Sequence, residues 1–321
     1  MPRPTPRWGI TLPVPDLPLP DHRALVEELV ALGYTDVWSA EANGSDAFVP
    51  LALSATWSPD VRVGSAIAPV YTRGPGLLAM SAATMAETAP GRFVLGIGSS
   101  APAIVENWNA MEFREPFRRT RDTLHFLRQA LRGEKVNEEY DTFAVRGFRL
   151  DRVPEAPPPI MLAALRPGML RLAGNEADGA ITNWLSPADV PKVRAELGEE
   201  PELAARIFVN VTEDADAART LARRLISGYL TVPAYGKFHE WLGRGEALRE
   251  MQELWAAGER KAANAAIPDE VVDDLVVHGD PATCRARIQE YVDAGITTPI
   301  VMPLPGGLAP REAALTLAPH A

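Results

Sequence analysis

The sequence predicts an α/β protein folded as a (β/α)8 TIM barrel, and three observations predict it. Short apolar runs alternate with helical segments, eight such runs occur, and no linker divides the 321 residues. Apolar strands separated by helices indicate a parallel sheet covered on both faces. Eight βα units that close on themselves form a TIM barrel, and an open doubly wound sheet is the alternative. We therefore expect one domain over residues 1–321.

The strands are predicted wherever a short apolar run ends at a turn residue or at a helix start. Their predicted ranges are 8–12, 34–38, 61–68, 92–97, 159–163, 178–182, 205–211 and 298–302.

The helices are predicted from apolar residues at helical spacing and from start and stop signals. Asp21 is expected to cap the first helix, which Gly33 ends, and Asp280 before Pro281 is expected to cap a helix that Gly295 ends. The others are predicted at 47–56, 76–87, 116–131, 167–174, 187–197, 215–229 and 240–266.

Two segments interrupt the alternation and are interpreted as insertions. Residues 134–159, after strand four, are polar, irregular and rich in proline. Residues 230–278, after strand seven, contain the helical stretch 240–266, whose apolar side chains suggest a lid or a subunit contact.

Composition excludes several function classes. The chain has 32 Lys and Arg against 42 Asp and Glu, a net charge of −10, which argues against non-specific nucleic-acid binding. The sequence has no run of about 18 apolar residues, so it predicts no membrane span. A secretory signal requires an apolar segment after the first residues, and none follows residues 1–6. The single cysteine, Cys284, excludes an internal disulfide, and the five scattered histidines predict no metal site. We expect a cytoplasmic protein.

The loops that follow the strands of a TIM barrel carry its chemistry, so strand ends select candidate residues without a motif. Here they bring one carboxylate, Glu41, together with small residues, hydroxyls and aromatic side chains. Small residues let a planar ligand approach the backbone, so this composition predicts a pocket for a ring-shaped cofactor. Glu41 is the candidate general acid or base, and the alternative is a solvated loop carboxylate or a cap for the helix that follows.

Residues 96–101 match the dinucleotide-binding pattern G-x-G-x-x-[GA] after a strand. The match falls on the fourth strand instead of the first, and Pro102 occupies the turn. A loop that accommodates another ligand is therefore favoured over an NAD site.

Segments 33–41, 63–75, 91–100 and 159–179 carry a likeness that extends over nearly the whole chain. They resemble the luciferase-like monooxygenases and, among these, the coenzyme F420-dependent oxidoreductases. The resemblance implies a TIM barrel that binds a flavin-like ring at its C-terminal mouth. It also implies a bulge in strand three that backs the ring, with a cis peptide bond expected at Ala66–Ile67.

The resemblance assigns roles to individual positions. Glu41 matches an acid that touches the ring, whereas Ala42 stands where many relatives carry a histidine, which removes their usual proton donor. The positions that match cofactor-binding segments are Ser65, Ala66 and Ile67 in strand three, Gly98, Ser99 and Ser100 after strand four, and Ala163, Ala164, Leu165 and Arg166, near the phosphate, after strand five. The side chains expected on the substrate side are Trp38, Tyr71, Asn183 and Trp184.

These positions imply an oxidoreductase that uses coenzyme F420 to transfer a hydride to or from an unidentified small organic substrate. One alternative is an FMN-dependent monooxygenase that receives reduced flavin from a partner reductase and uses oxygen. Another is a non-catalytic barrel that binds a flavin-type cofactor. The resemblance also implies a homodimer, and no nucleic-acid or membrane partner is expected.

Overall fold

The computed structural model describes residues 7–15 and 17–320, so segment 1–6 and its predicted lack of a signal lie outside the described residues. The strands are β1 (Gly9–Thr11), β2 (Asp36–Ser39), β3 (Arg62–Ser65), β4 (Ala68–Pro69), β5 (Phe93–Gly98), β6 (Val136–Glu139), β7 (Ala144–Phe148), β8 (Ile160–Ala163), β9 (Gly179–Asn183), β10 (Glu202–Val211), β11 (Val277–Gly279) and β12 (Thr298–Pro303).

Eight parallel strands close into a barrel. The order is β1, β2, β3, β5, β8, β9, β10 and β12, and β12 pairs with β1 to complete the circle. This confirms the predicted TIM barrel, with each of the eight predicted strands present. Four further strands were not predicted as separate strands: β6 and β7 pair with each other, β4 resumes β3 after a break and pairs with β5, and β11 adds to the side of β10.

The helices surround the barrel and mostly agree with the predicted ranges. Asp280 caps its helix as expected, because its carboxylate accepts from the N–H groups of Ala282 and Thr283. The helices are α1 (His22–Ala31), α2 (Phe48–Trp57), α3 (Pro75–Thr88), α4 (Pro116–Leu131), α5 (Pro167–Glu176), α6 (Val190–Leu197), α7 (Ala215–Leu230), α8 (Pro233–Leu242), α9 (Arg249–Ala256), α10 (Arg260–Ala265), α11 (Asp269–Leu275), α12 (Pro281–Ala294) and α13 (Pro310–Thr316). Among the described helices, none is long and apolar enough to cross a membrane.

Two expectations about helix ends were wrong. Asp21 does not cap α1, because it ends a 3₁₀ turn (Leu19–Asp21) in a helical conformation and its side chain makes no capping hydrogen bond. The stretch 240–266 is not one helix, because the chain turns at Gly243 and Gly258, whose φ angles of 103° and 84° favour glycine.

The two insertions are more ordered than their composition indicated. Segment 134–159 holds an antiparallel hairpin of β6 and β7, in which most side chains are exposed and Val136 is fully buried. In the second insertion, Leu248 and Met251 are fully buried in a cluster with Ile226 and Leu230 of α7. These apolar side chains therefore pack within the chain, where the sequence suggested a lid or a subunit contact.

The indole of Trp38 fills the middle of the barrel and is fully buried. A Cβ atom on Gly64 would lie 2.4 Å from its Cζ3 atom, and one on Gly9 would lie 2.9 Å from its Cδ1 atom. The two glycines thus leave the space that the ring occupies. Trp38 was expected to line the substrate pocket; the structure places its side chain in the barrel core.

An ion-pair cluster closes the barrel below this indole, at the start of the strands. Asp36 pairs with Arg7 and Arg62, and Arg62 reaches Glu202 across the barrel at 2.6 Å. The Arg62 guanidinium lies 5.5 Å from the centre of the Trp38 ring. Burial opposes ionisation of Glu202, but the hydrogen bonds and charge of Arg62 lower the pKa of this carboxyl.

Gly64→Ala is expected to lower the free energy of unfolding by about 1–3 kcal/mol, because the added methyl group overlaps the Trp38 indole. The matched control is Gly228→Ala in α7, where a Cβ atom meets nothing within 4 Å. The control is expected to be neutral or stabilising by up to about 1 kcal/mol, since alanine favours helix. Urea unfolding midpoints measure both, and equal midpoints for the two variants would contradict the packing of the indole against Gly64.

Candidate active site at the barrel mouth

The third barrel strand breaks at the mouth, between Ser65 and Ala68. β3 pairs with β5 through Val63 and Gly64, and pairing resumes only at Ala68, opposite Ile97. The residues in between leave the ladder as a bulge, and the Ala66–Ile67 peptide bond within it is cis. This confirms the predicted position of the cis bond.

Ser65 joins the bulge to the neighbouring strand. Its hydroxyl donates to the carbonyl oxygen of Gly96 at 2.8 Å and accepts from the N–H of the same residue at 2.9 Å. The side chain is fully buried. It satisfies the two backbone groups that the interrupted ladder leaves without strand partners. Ser65 was predicted to contact the cofactor; the structure turns its hydroxyl into the sheet, where it positions the bulge.

Small residues allow the bulge and the adjoining strands to approach one another. A Cβ atom on Gly96 would lie 1.9 Å from the carbonyl oxygen of Ser65. One on Gly98 would lie 2.6 Å from the Cβ atom of Ala163 and 3.3 Å from Cγ1 of Ile67. The structure thus brings Ile67, Gly98 and Ala163 together, and none of the three has a long side chain.

Glu41 lies beside this surface at the end of β2. Its N–H donates to the carbonyl oxygen of Ile67 at 3.3 Å. Its carboxylate accepts from Nε of Arg73 at 2.8 Å, and the same guanidinium donates to Asp46 at 2.9 Å and lies over the Phe48 ring. Arg73 therefore fixes the orientation of the Glu41 carboxylate, which is 22% exposed. The sequence placed Arg73 among the residues after the third predicted strand but gave it no role in the site.

The predicted residues after β5 and β8 lie at the same mouth. Ser99 and Ser100 are half-buried, and Ser100 has a φ of 63°, which turns the chain away from the strand. Ala164 donates from its N–H to Ile181, and Leu165 packs against the core. Arg166 is exposed and precedes α5, whose first turn has N–H groups without helical partners. Such a helix start favours anionic groups.

Two of the predicted pocket aromatics are committed to packing. The Tyr71 hydroxyl donates to the carbonyl oxygen of Arg114, its ring lies 5.0 Å from that of Phe113, and burial raises its pKa to about 12. Trp184 is 1% exposed and stacks on Phe208 at 4.1 Å. Both residues hold neighbouring segments in place.

One charged residue that sequence reasoning missed reaches the bulge from the opposite side of the barrel. Arg206 of β10 donates from Nη2 to the carbonyl oxygen of Ala66 at 2.5 Å. Next to it, the predicted pocket residue Asn183 donates from its amide to the hydroxyl of Tyr235 at 3.2 Å. The available signal was a single charge within the apolar run 203–209, at an inward-facing position of the strand.

Comparison with known proteins gives one family. A family model described as luciferase-like monooxygenase matches residues 7–298. A protein of Mycobacterium tuberculosis named as a coenzyme F420-dependent oxidoreductase is 28% identical over 329 aligned positions, which cover 92% of each chain. The 5,10-methylenetetrahydromethanopterin reductase of Archaeoglobus fulgidus is 26% identical, over 91% of each chain.

A solved structure has the same fold. The coenzyme F420-dependent tetrahydromethanopterin reductase of Methanopyrus kandleri superposes with a TM-score of 0.78 over 99% of each chain, at 22% sequence identity.

Ser65→Ala is expected to lower the free energy of unfolding by about 2 kcal/mol, because two buried backbone groups of Gly96 lose their partner. Ser81→Ala on the outer helix α3 is the control and is expected to change it by less than about 0.5 kcal/mol. Denaturant unfolding followed by circular dichroism measures both variants. A Ser65→Ala midpoint equal to that of wild type would show that the bridge does not stabilise the bulge.

Proposed function

The chain belongs to the luciferase-like monooxygenase family, and on this premise we propose that it is an oxidoreductase that uses coenzyme F420 to transfer a hydride to or from an organic substrate. The observation that carries the proposal is the break in the third strand, where Ile67 lies beside Gly98 and Glu41 donates to its carbonyl oxygen. The relatives named for F420 or for a methanopterin reductase support the choice of cofactor.

The residues of the mouth fit a tricyclic ring with an anionic tail. Ile67 and Ala163, both partly exposed, pack over the buried backbone of Gly98 without long side chains, which suits the face of a planar ring. The start of α5 and the exposed Arg166 offer N–H groups and a positive charge for a phosphate. Coenzyme F420 supplies two-electron hydride chemistry, while the protein supplies binding, orientation and the exclusion of water.

Glu41 is the residue to which we assign proton handling. Its carboxylate is oriented by Arg73, and its backbone is joined to the bulge through Ile67. The neighbouring residue, Ala42, has no group that can transfer a proton, so Glu41 Oε1 or Oε2 is the group placed to hold or deliver a proton at the ring edge.

Two alternatives are each favoured by one observation. An FMN-dependent monooxygenase is favoured by the family description, which is that of a luciferase-like monooxygenase. A barrel that binds such a cofactor without catalysis is favoured by Ala42, which cannot transfer a proton.

The purified protein is expected to bind coenzyme F420 at least tenfold more tightly than FMN, a difference of about 1.4 kcal/mol. Quenching of ligand fluorescence measures both dissociation constants, with each cofactor oxidised and reduced. Gly98→Val is expected to weaken F420 binding at least tenfold, since its side chain enters the surface beside Ile67 and Ala163. Gly44→Val, where a Cβ atom meets nothing within 4 Å, is the control. A preference for FMN would favour the monooxygenase, and no binding of either would refute the cofactor assignment.

Glu41→Ala is expected to leave F420 affinity within threefold of wild type and to lower turnover at least 100-fold, the scale of a lost general acid or base. Oxidation of reduced F420 by a panel of small carbonyl compounds, followed by absorbance, measures turnover. Wild type that binds F420 tightly yet turns over with no acceptor in either direction would favour the non-catalytic barrel.

A further inference from the structure

Arg206 is a cation at the barrel mouth without a counter-ion among the described residues. It is half-buried, and in register it lies between Asn183 of β9 and Ile300 of β12. Its Nη2 donates to the carbonyl oxygen of Ala66, whereas its Nε is buried and has no hydrogen-bond partner in residues 7–15 and 17–320. The ionisable groups that act on its charge are two phenols, Tyr229 and Tyr235, and burial lowers its pKa.

Two other half-buried arginines of this chain are neutralised. Arg62 pairs with Asp36 and Glu202 at the bottom of the barrel. Arg244 pairs with Asp189 and Asp274, each at 2.8 Å. Removing a guanidinium from water without a carboxylate partner costs several kcal/mol. Arg206 has no carboxylate partner among the described residues, so we expect a ligand to supply the negative charge.

A second donor lies beside this cation. The hydroxyl oxygen of Tyr235 accepts from the Asn183 amide, which leaves its own O–H available to donate. Burial raises the pKa of Tyr235 to about 12, so the phenol keeps this proton at neutral pH. Beyond it, the ring centre of Tyr229 lies 5.6 Å from that of Tyr235 and 5.0 Å from that of Trp184, and Tyr229 is 37% exposed. The donors therefore adjoin an accessible aromatic wall.

We propose that Arg206 and Tyr235 bind an anionic oxygen of the organic substrate, a carboxylate or an ionised hydroxyl, and that the Tyr229 wall packs against its apolar part. This deepens the proposed function, because it names the substrate class. The two donors are joined through Asn183, which pairs with Arg206 in register and donates to Tyr235, and a charged acceptor makes hydrogen bonds about twice as strong as a neutral one. The bond to Ala66 places the anion in the same layer as the cis bulge, where the ring is proposed to lie.

The test uses benzoate and benzamide, which share a ring and differ in the charge of one group. Calorimetric titration of the F420-saturated protein measures both dissociation constants. Wild type is expected to bind benzoate at least tenfold more tightly than benzamide. Arg206→Gln, which keeps a donor for Ala66, is expected to reduce this preference to twofold or less, and Arg206→Lys to retain part of it. Arg171→Gln, an exposed arginine on α5, is the control and is expected to keep the wild-type preference.

A second variant tests the proposal if Arg206→Gln fails to fold. Tyr235→Phe keeps the ring and removes only the hydroxyl, and it is expected to weaken benzoate binding threefold or more without affecting benzamide. A wild type without preference for benzoate, or variants that keep the full preference, would overturn the proposal. A tenfold loss of F420 affinity in Arg206→Gln with benzoate preference intact would also overturn it, because the anion would then belong to the cofactor.

The same titration separates this proposal from the proposed function. If the protein fails to bind F420, the titrations are repeated on the protein alone. A benzoate preference that depends on Arg206 would then support the anion subsite although the cofactor assignment had failed.

Discussion

The barrel mouth depends on the close approach of the Ser65 carbonyl oxygen to Gly96, which leaves no room for a Cβ atom. Because Gly96 has no side chain, the third strand can bring this carbonyl oxygen against it and leave the ladder there. The hydroxyl of Ser65 then satisfies the backbone groups of Gly96. The displaced carbonyls are then used from two sides. Glu41 donates to Ile67 from β2, and Arg206 donates to Ala66 from β10. One glycine therefore permits the contact of three separate strands.

The fold was predictable because parallel strands of a barrel are apolar on both faces, which makes them visible as runs in the sequence. The hairpin of β6 and β7 was not, since its strands are mostly exposed and their side chains show no apolar run. The division of 240–266 into helices depends on glycines with positive φ, and composition alone does not distinguish such glycines from tolerated ones.

The site was predictable in part. Strand ends located Glu41, and family resemblance located the cis bond, because both are local in the chain. The contact between Arg206 and Ala66 joins residues 140 positions apart and exists only once the barrel closes. Trp38 was expected in the pocket because it ends the predicted strand 34–38. Its side chain instead points into the barrel and lies under the mouth. Side-chain direction is the information that strand boundaries do not supply.

The buried indole of Trp38 lies between two groups of charged side chains. Below it, Arg62, Asp36 and Glu202 neutralise one another, and their charges need no ligand. Above it, Ile67 and Arg206 are partly exposed at the mouth, beside the buried Ala66. A ligand that covers this opening removes the bulge carbonyls and the guanidinium from bulk water at one time, which strengthens every charge interaction there. The tryptophan thus lies between charges that are paired within the chain, below it, and the charge of Arg206 above it, for which a ligand supplies the partner.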